Sequence, residues 1–135
     1  PFSSNLAKRI EGEFWGELAR KLEYSLKREV VIIGAVDDLA LSATYARNWQ
    51  VKNLTGKLTM RQLVEFLRFN CSLFIGLDSG PMHLAAIIGL PVVGLFNNSD
   101  PLRGRPWGEK VLVIQGNNSG EFSKKIPQIL DFFNS

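Results

Sequence analysis

Five short apolar runs, Val30 to Gly34, Val51 to Leu54, Leu73 to Leu77, Val92 to Phe96 and Val111 to Ile114, begin about 20 residues apart. Four of them are continuous rather than alternating, as strands covered on both faces are, and the spacing leaves room for a helix in each crossover. The intervening segments have helical periodicity. Phe14, Leu18, Leu22 and Leu26 recur every four residues, with Glu17, Arg20, Lys21 and Lys27 elsewhere on the wheel. Between Asp38 and Asn48 the apolar stripe is Leu39, Ala43 and Ala46. Thr59-Met60-Arg61-Gln62 has capping-box spacing and opens a helix carrying Leu63, Phe66 and Leu67. A fourth helix is predicted from Pro81 to Ile88, with Gly89 as its stop. The last, Ser123 to Phe133, starts at a serine cap near Pro127 and buries Ile126, Ile129, Leu130 and Phe133. Such alternation predicts an α/β domain of three layers, Rossmann-like, with a mainly parallel sheet and right-handed crossovers. The first helix has no strand before it. The sequence is therefore expected to begin just after a strand-ending loop, and its start at Pro1 reads as part of something longer.

The chain's 135 residues suit one domain, residues 1–135, with a solid core. Apolar residues make up 45% and charged residues 21%, which excludes a disordered composition. The formal charge of +3 is spread along the chain, so nucleic acid is not an expected partner, whereas an anionic ligand or a membrane surface is compatible with it. With one Cys, Cys71, and one His, His83, no zinc cluster and no internal disulfide can form, and a reducing compartment fits. Cys71 reads as a small buried thiol. No apolar stretch approaches the roughly 18 residues that would span a bilayer, and no signal-peptide pattern is present, so the expected location is cytoplasmic.

Chemistry concentrates where the third run meets the fourth helix. Asp78 ends the strand, Ser79 and Gly80 are candidate N-caps, and Pro81 suits the first helical turn. A helix start there aims free N–H groups beyond the strand end, which makes an anion seat, and His83 falls in the same turn. Gly34-Ala35-Val36-Asp37-Asp38 lacks the dinucleotide glycine pattern, no phosphate-binding G-x-x-x-x-G-K-[ST] occurs, and Ser79 is not in a G-x-S-x-G elbow. A hydrolytic triad of Ser79, His83 and Asp78 is disfavoured, since such near neighbours hardly reach the required geometry. Taken alone, the turn is equally well explained as a helix cap.

Several segments together resemble the second half of the family 9 glycosyltransferases, which include the bacterial ADP-heptose:lipopolysaccharide heptosyltransferases. They are Asn53-Leu54-Thr55-Gly56-Lys57, Leu77 to Ala86, Gly89 to Phe96 and Asp100-Pro101, together with Lys8-Arg9-Ile10 and Phe14-Trp15-Gly16-Glu17-Leu18-Ala19. The resemblance implies one half of a two-domain GT-B enzyme: a donor-binding domain, with the acceptor domain absent from this chain. It also implies roles. Asp78 matches the acid that contacts the donor sugar, Ser79, Gly80 and Pro81 match the turn that holds the diphosphate, and His83 matches the family histidine. Lys8 matches the basic residue near the donor phosphates. Asp37 and Asp38 lie where the family has a ribose-serving acid, though a helix-start role fits them equally. Thr55, Gly56 and Lys57 follow the second strand and line the base pocket through backbone groups, with Lys57 alternatively only solvated. Asn97-Asn98-Ser99-Asp100-Pro101 departs from the family's Gly-Pro-Thr-Asp-Pro, and Arg103 and Arg105 beyond it are exposed cations by default.

The implied activity is transfer of heptose, or a related sugar, from an ADP-sugar to a lipopolysaccharide core acceptor, with no metal and no other cofactor. The partners are then the nucleotide-sugar donor and, through the missing domain, the acceptor, with peripheral contact at the inner face of the cytoplasmic membrane. The general base is expected in the missing domain, so no catalytic residue is assigned here and this chain alone should bind but not catalyse. Two other readings stand beside it. An epimerase-like enzyme of the same architecture would need acid/base residues in the cleft; a non-catalytic nucleotide-binding α/β module would leave the turn a cap and His83 a packing residue.

Overall fold

The computed structural model describes residues 12–34, 39–77, 80–97, 106, 108 and 110–134. The elements follow in the order α1 (Gly12–Leu26), β1 (Val31–Ile32), α2 (Leu39–Trp49), β2 (Lys52–Asn53), α3 (Met60–Phe69), β3 (Phe74–Leu77) and α4 (Gly80–Ile88), then β4 (Val92–Asn97), β5 (Val111–Gly116), α5 (Ser119–Ser123) and α6 (Ile126–Asn134). Every strand pairing is parallel, as the spacing predicts. Among the described residues the strands form two sheets rather than one, β1-β2 and β3-β4-β5. The first two strands are shorter than the apolar runs that announce them, but their pairing continues past the ladder. Leu54 and Gly56 donate their N–H groups to the carbonyls of Ile32 and Gly34 at 2.8 and 2.9 Å.

Helices cover both faces of β3-β4-β5, and β4 shows why its run is continuous. Val93 and Leu95 enter a core with Phe14, Leu18 and Leu22 of α1, Phe122 of α5, and Ile126 and Ile129 of α6. Val92 and Phe96 enter the opposite core with Leu67 of α3 and Met82, Ala85 and Ala86 of α4. Alternation along one strand thus feeds two cores. Each fully buried large side chain contributes about 1.5–3 kcal/mol relative to exposure. No helix among the described residues is long and apolar enough to cross a membrane.

Several helix boundaries follow the local sequence closely. Thr59 caps α3: its hydroxyl accepts from the Gln62 N–H at 3.1 Å, and its own N–H donates to the Gln62 side chain at 2.9 Å. Thr59→Ala is therefore expected to cost about 1 kcal/mol of stability in urea unfolding, with Thr59→Ser retaining most of it. α4 ends at Gly89, with φ +105°, where the Gly89 and Leu90 N–H groups return to the carbonyls of Ala86 and Ala85, both at 3.1 Å. This is the left-handed stop that favours glycine.

Two local expectations are corrected. Ser123 does not cap the last helix but ends α5, a short helix whose cap is Asn118, with a side chain that accepts from the Glu121 N–H at 2.9 Å. α6 then starts at Ile126, where Pro127 sits in the first turn and its missing N–H leaves no helical bond unmade. In α2 the inward face follows the expected stripe only in part: Ala46 is partly buried but Ala43 is exposed, whereas Ser42 is buried and Tyr45 and Trp49 are partly buried. Tertiary partners select that face. Asn53 of β2 donates to the Ser42 hydroxyl at 3.2 Å, and the Trp49 indole, stacked on Tyr45, lies where a Cβ on Gly16 of α1 would come within 2.6 Å. Gly16 is thus what lets α1 and α2 approach.

Candidate functional site

The carboxyl ends of parallel strands are where ligands lie in sheets of this kind, and the described candidates gather there. β3 runs to Leu77 and α4 starts at Gly80. Gly80 is exposed, with nothing within 4 Å of where its Cβ would stand, Pro81 is second in the helix, and His83 is half-buried at the end of the first turn. The opposite side of that helix, Met82, Ala85 and Ala86, is fully sunk in the core, which holds the helix start at the strand end. The first N–H groups of an α-helix have no partner within it and carry partial positive charge, so this end favours an anion.

After β2, Leu54 to Lys57 form a tight turn closed by the Lys57 N–H on the Leu54 carbonyl at 3.0 Å, with Gly56 at φ +70°. A positive φ at the third position favours glycine there. Thr55 is fully buried and its hydroxyl has no hydrogen-bond partner, while its N–H is held by the Asn53 side chain at 3.0 Å. The N–H groups of Leu54, Thr55, Gly56 and Lys57 are all engaged within the protein, and the Lys57 side chain is exposed. Sequence reading did not single out Asn53 and Gly34 as the groups that hold the turn. The Asn53 to Thr55 spacing, an asparagine accepting from the N–H two residues on, was the available signal.

The two clusters lie on different sheets, Thr55 to Lys57 beyond β2 and Gly80 to His83 beyond β3. Lys8, Asp37, Asp38, Asp78, Ser79, Asp100, Pro101, Arg103 and Arg105 lie outside the described residues. Among the described residues, no group of three or more His, Cys, Asp or Glu could hold a metal ion. Cys71, expected to be a buried thiol, is only partly buried, and that burial pushes its thiol pKa up.

A sequence model described as glycosyltransferase family 9 (heptosyltransferase) matches residues 1–131. The chain belongs to glycosyltransferase family 9. Among its family relatives, lipooligosaccharide heptosyltransferase 2 of Campylobacter jejuni is 33% identical over 107 residues, which cover 75% of this chain and 33% of that protein. Lipopolysaccharide heptosyltransferase 3 of Escherichia coli K12 is 36% identical over 86 residues, 62% of this chain and 25% of that protein. The solved ADP-heptose lipopolysaccharide heptosyltransferase II of E. coli superposes with a TM-score of 0.84 at 26% identity, covering 99% of this chain and 44% of that structure. The fold is that of the GT-B glycosyltransferases, and this chain spans between a quarter and a third of the two curated relatives. The epimerase-like and non-catalytic readings are not favoured.

Proposed function

We propose that this chain is the donor-binding domain of a heptosyltransferase that moves heptose, or a related sugar, from an ADP-sugar to a lipopolysaccharide core acceptor. The observation that carries the reading is the start of α4 at the carboxyl end of β3, with Gly80 open to approach, in a chain matched by the family over residues 1–131. The donor diphosphate sits against the N–H groups at Gly80 and Met82 in the first turn of α4, with Pro81 and His83 beside them. Ser79 and Lys8 add a hydroxyl and an ammonium, and Asp78 receives hydroxyls of the donor sugar. The turn Thr55 to Lys57 borders the base through its backbone, and Asp37 or Asp38 serves the ribose.

Charge on the departing diphosphate grows as the sugar bond breaks. Donors already aimed at it stabilise that state more than the bound donor, which is what accelerates transfer. The reading needs no metal, because α4's start, Ser79 and Lys8 meet that charge. The acceptor, and the base that takes the proton from its hydroxyl, belong to another domain of the protein working at the cytoplasmic membrane face, so residues 1–135 bind donor without transferring it. Calorimetric titration of the full-length protein with ADP-, UDP- and GDP-sugars tests this. Binding of the ADP-sugar is expected, and no binding of any of them sinks the proposal.

Gly80→Ala separates fold from function. A methyl group meets nothing within 4 Å, so the melting transition is expected to stay within about 0.5 kcal/mol of the original. The methyl group intrudes on the diphosphate seat, and donor affinity is expected to fall about tenfold, or 1.4 kcal/mol. An unchanged affinity would remove Gly80 from the site.

A further inference from the structure

β5 is the outer strand of the larger sheet, and among the described residues no strand pairs with its far side. It is apolar from Val111 to Ile114 and carries no proline, the kind of edge that invites a further strand. Its register shows which backbone groups lie on that edge. Val92 stands opposite Val111 and donates its N–H to the Lys110 carbonyl at 3.0 Å, so Lys110, Leu112, Ile114 and Gly116 turn their backbone groups toward β4. Successive residues alternate in this respect. The backbone groups of Val111, Val113 and Gln115 therefore turn outward, and the Asn117 N–H follows them just past the strand end.

In a parallel ladder, one residue of an added strand would donate its N–H to the Gln115 carbonyl and accept at its own carbonyl from the Asn117 N–H. Both groups are already taken by side chains. The Lys125 ammonium donates to the Gln115 carbonyl at 3.1 Å, and the Glu121 carboxylate accepts from the Asn117 N–H at 2.7 Å. We propose that Glu121 and Lys125 together stand in for one peptide group of a further strand, close the outer edge of β5, and keep the protein from pairing edge to edge with a second copy of itself. A second copy meeting this edge about a two-fold axis pairs antiparallel and needs the same outward groups. The Glu121 contact by itself is what the cap of a short helix would make. Lys125 is different, because it reaches back ten residues from the junction of α5 and α6. Its N–H donates there to the Phe122 carbonyl at 3.0 Å, and its carbonyl accepts from the Ile129 N–H at 3.2 Å. Phe122 and Ile126 on either side are fully buried in the core that β5 shares, so the backbone of Lys125 is fixed beside the edge. Its side chain is partly buried, whereas that of Lys124 is exposed. A strand seated on β5 would have to displace the ammonium and the carboxylate and take both out of water.

This inference rests on β5 and α5 and not on the donor reading, so either can fail alone. Sedimentation of the full-length protein over a range of concentrations tests it, with amide exchange at Val111 and Val113 to locate any contact. In the unsubstituted protein both amides are expected to exchange fast, as those of an open edge do. Lys125→Met keeps the aliphatic stem and loses the donor; it is expected to self-associate at least about tenfold more tightly, with exchange at Val111 and Val113 slowing as concentration rises. Lys125→Arg restores a donor and is expected to match the unsubstituted protein, as is Lys124→Met, which removes a neighbouring charge away from the edge. Unchanged association of Lys125→Met would overturn the proposal. So would association that leaves Val111 and Val113 unprotected, equal association of Lys124→Met, or slow exchange at both amides in the unsubstituted protein, which would mean that the edge is already paired.

Discussion

Phe122→Ala is expected to remove about 3–5 kcal/mol of stability, the range for deleting a fully buried phenylalanine ring. Phe122 comes from a helix of only five residues, yet it is the hinge of the larger core. Its ring lies 5.8 Å from that of Phe14 at 55°, and Phe14 in turn meets Trp15 edge-on at 5.1 Å. The same ring is 3.1 Å from where a Cβ on Gly116 would stand, so β5 is cut back to glycine to receive it. A cavity left there is enclosed by α1, β5 and α6, elements held by their own ladders and helices, and cannot readily collapse. Against a total stability of about 5–15 kcal/mol for an ordinary domain the loss is severe. Urea unfolding followed by near-ultraviolet dichroism measures it, with Tyr24→Ala, at a residue 82% exposed, as the control expected to change little. A loss below about 1 kcal/mol would mean that the site repacks.

On transfer by the full-length enzyme, Lys8→Ala and Asp78→Ala are expected to lower kcat by about 10²–10³-fold each, the usual effect of removing one group that meets charge in the transition state. The two should differ in form. An ammonium beside the leaving diphosphate acts most as the bond breaks, so Lys8→Ala falls chiefly on kcat and Lys8→Arg recovers part of it, a guanidinium being a broader donor than a point charge. A carboxylate that accepts from sugar hydroxyls holds the donor before and during reaction, so Asp78→Ala also raises KM. Steady-state kinetics with the donor varied separate these cases. If either variant kept wild-type kcat and KM, that residue would have no place in the proposed site.

Much of this domain was legible before any coordinates. The four-residue recurrence from Phe14 to Leu22 became the buried face of α1, Thr59 and Gln62 formed the capping box, and Gly89 became a left-handed stop. Each depends on residues within a turn or two of one another. Of the candidate site, the start of α4 after β3 was legible to within a residue, with His83 in its first turn, while Lys8, Asp37, Asp38, Asp78 and Ser79 lie outside the described residues. The misreadings lie where a distant partner chose the outcome. Ala43 looked apolar enough to face inward, but the Asn53 bond to Ser42 and the contact of Trp49 on Gly16 rotate α2 onto another face. α5 was missed because five residues are too few to show a period, and Asn118 resembles any loop asparagine.

The order and type of every element but α5, their parallel direction and the anion-favouring end of α4 are thus properties of the sequence by itself, because backbone geometry, side-chain period and capping groups act over a few residues. Which way each helix turns, how far β1 and β2 extend, and the cleft that parts them from β3 were decided only by the tertiary structure. Those outcomes depend on contacts between residues remote along the chain, such as Trp49 with Gly16 or Phe14 with Phe122. No local pattern encodes the partner in such a contact; only the packed layers bring it there.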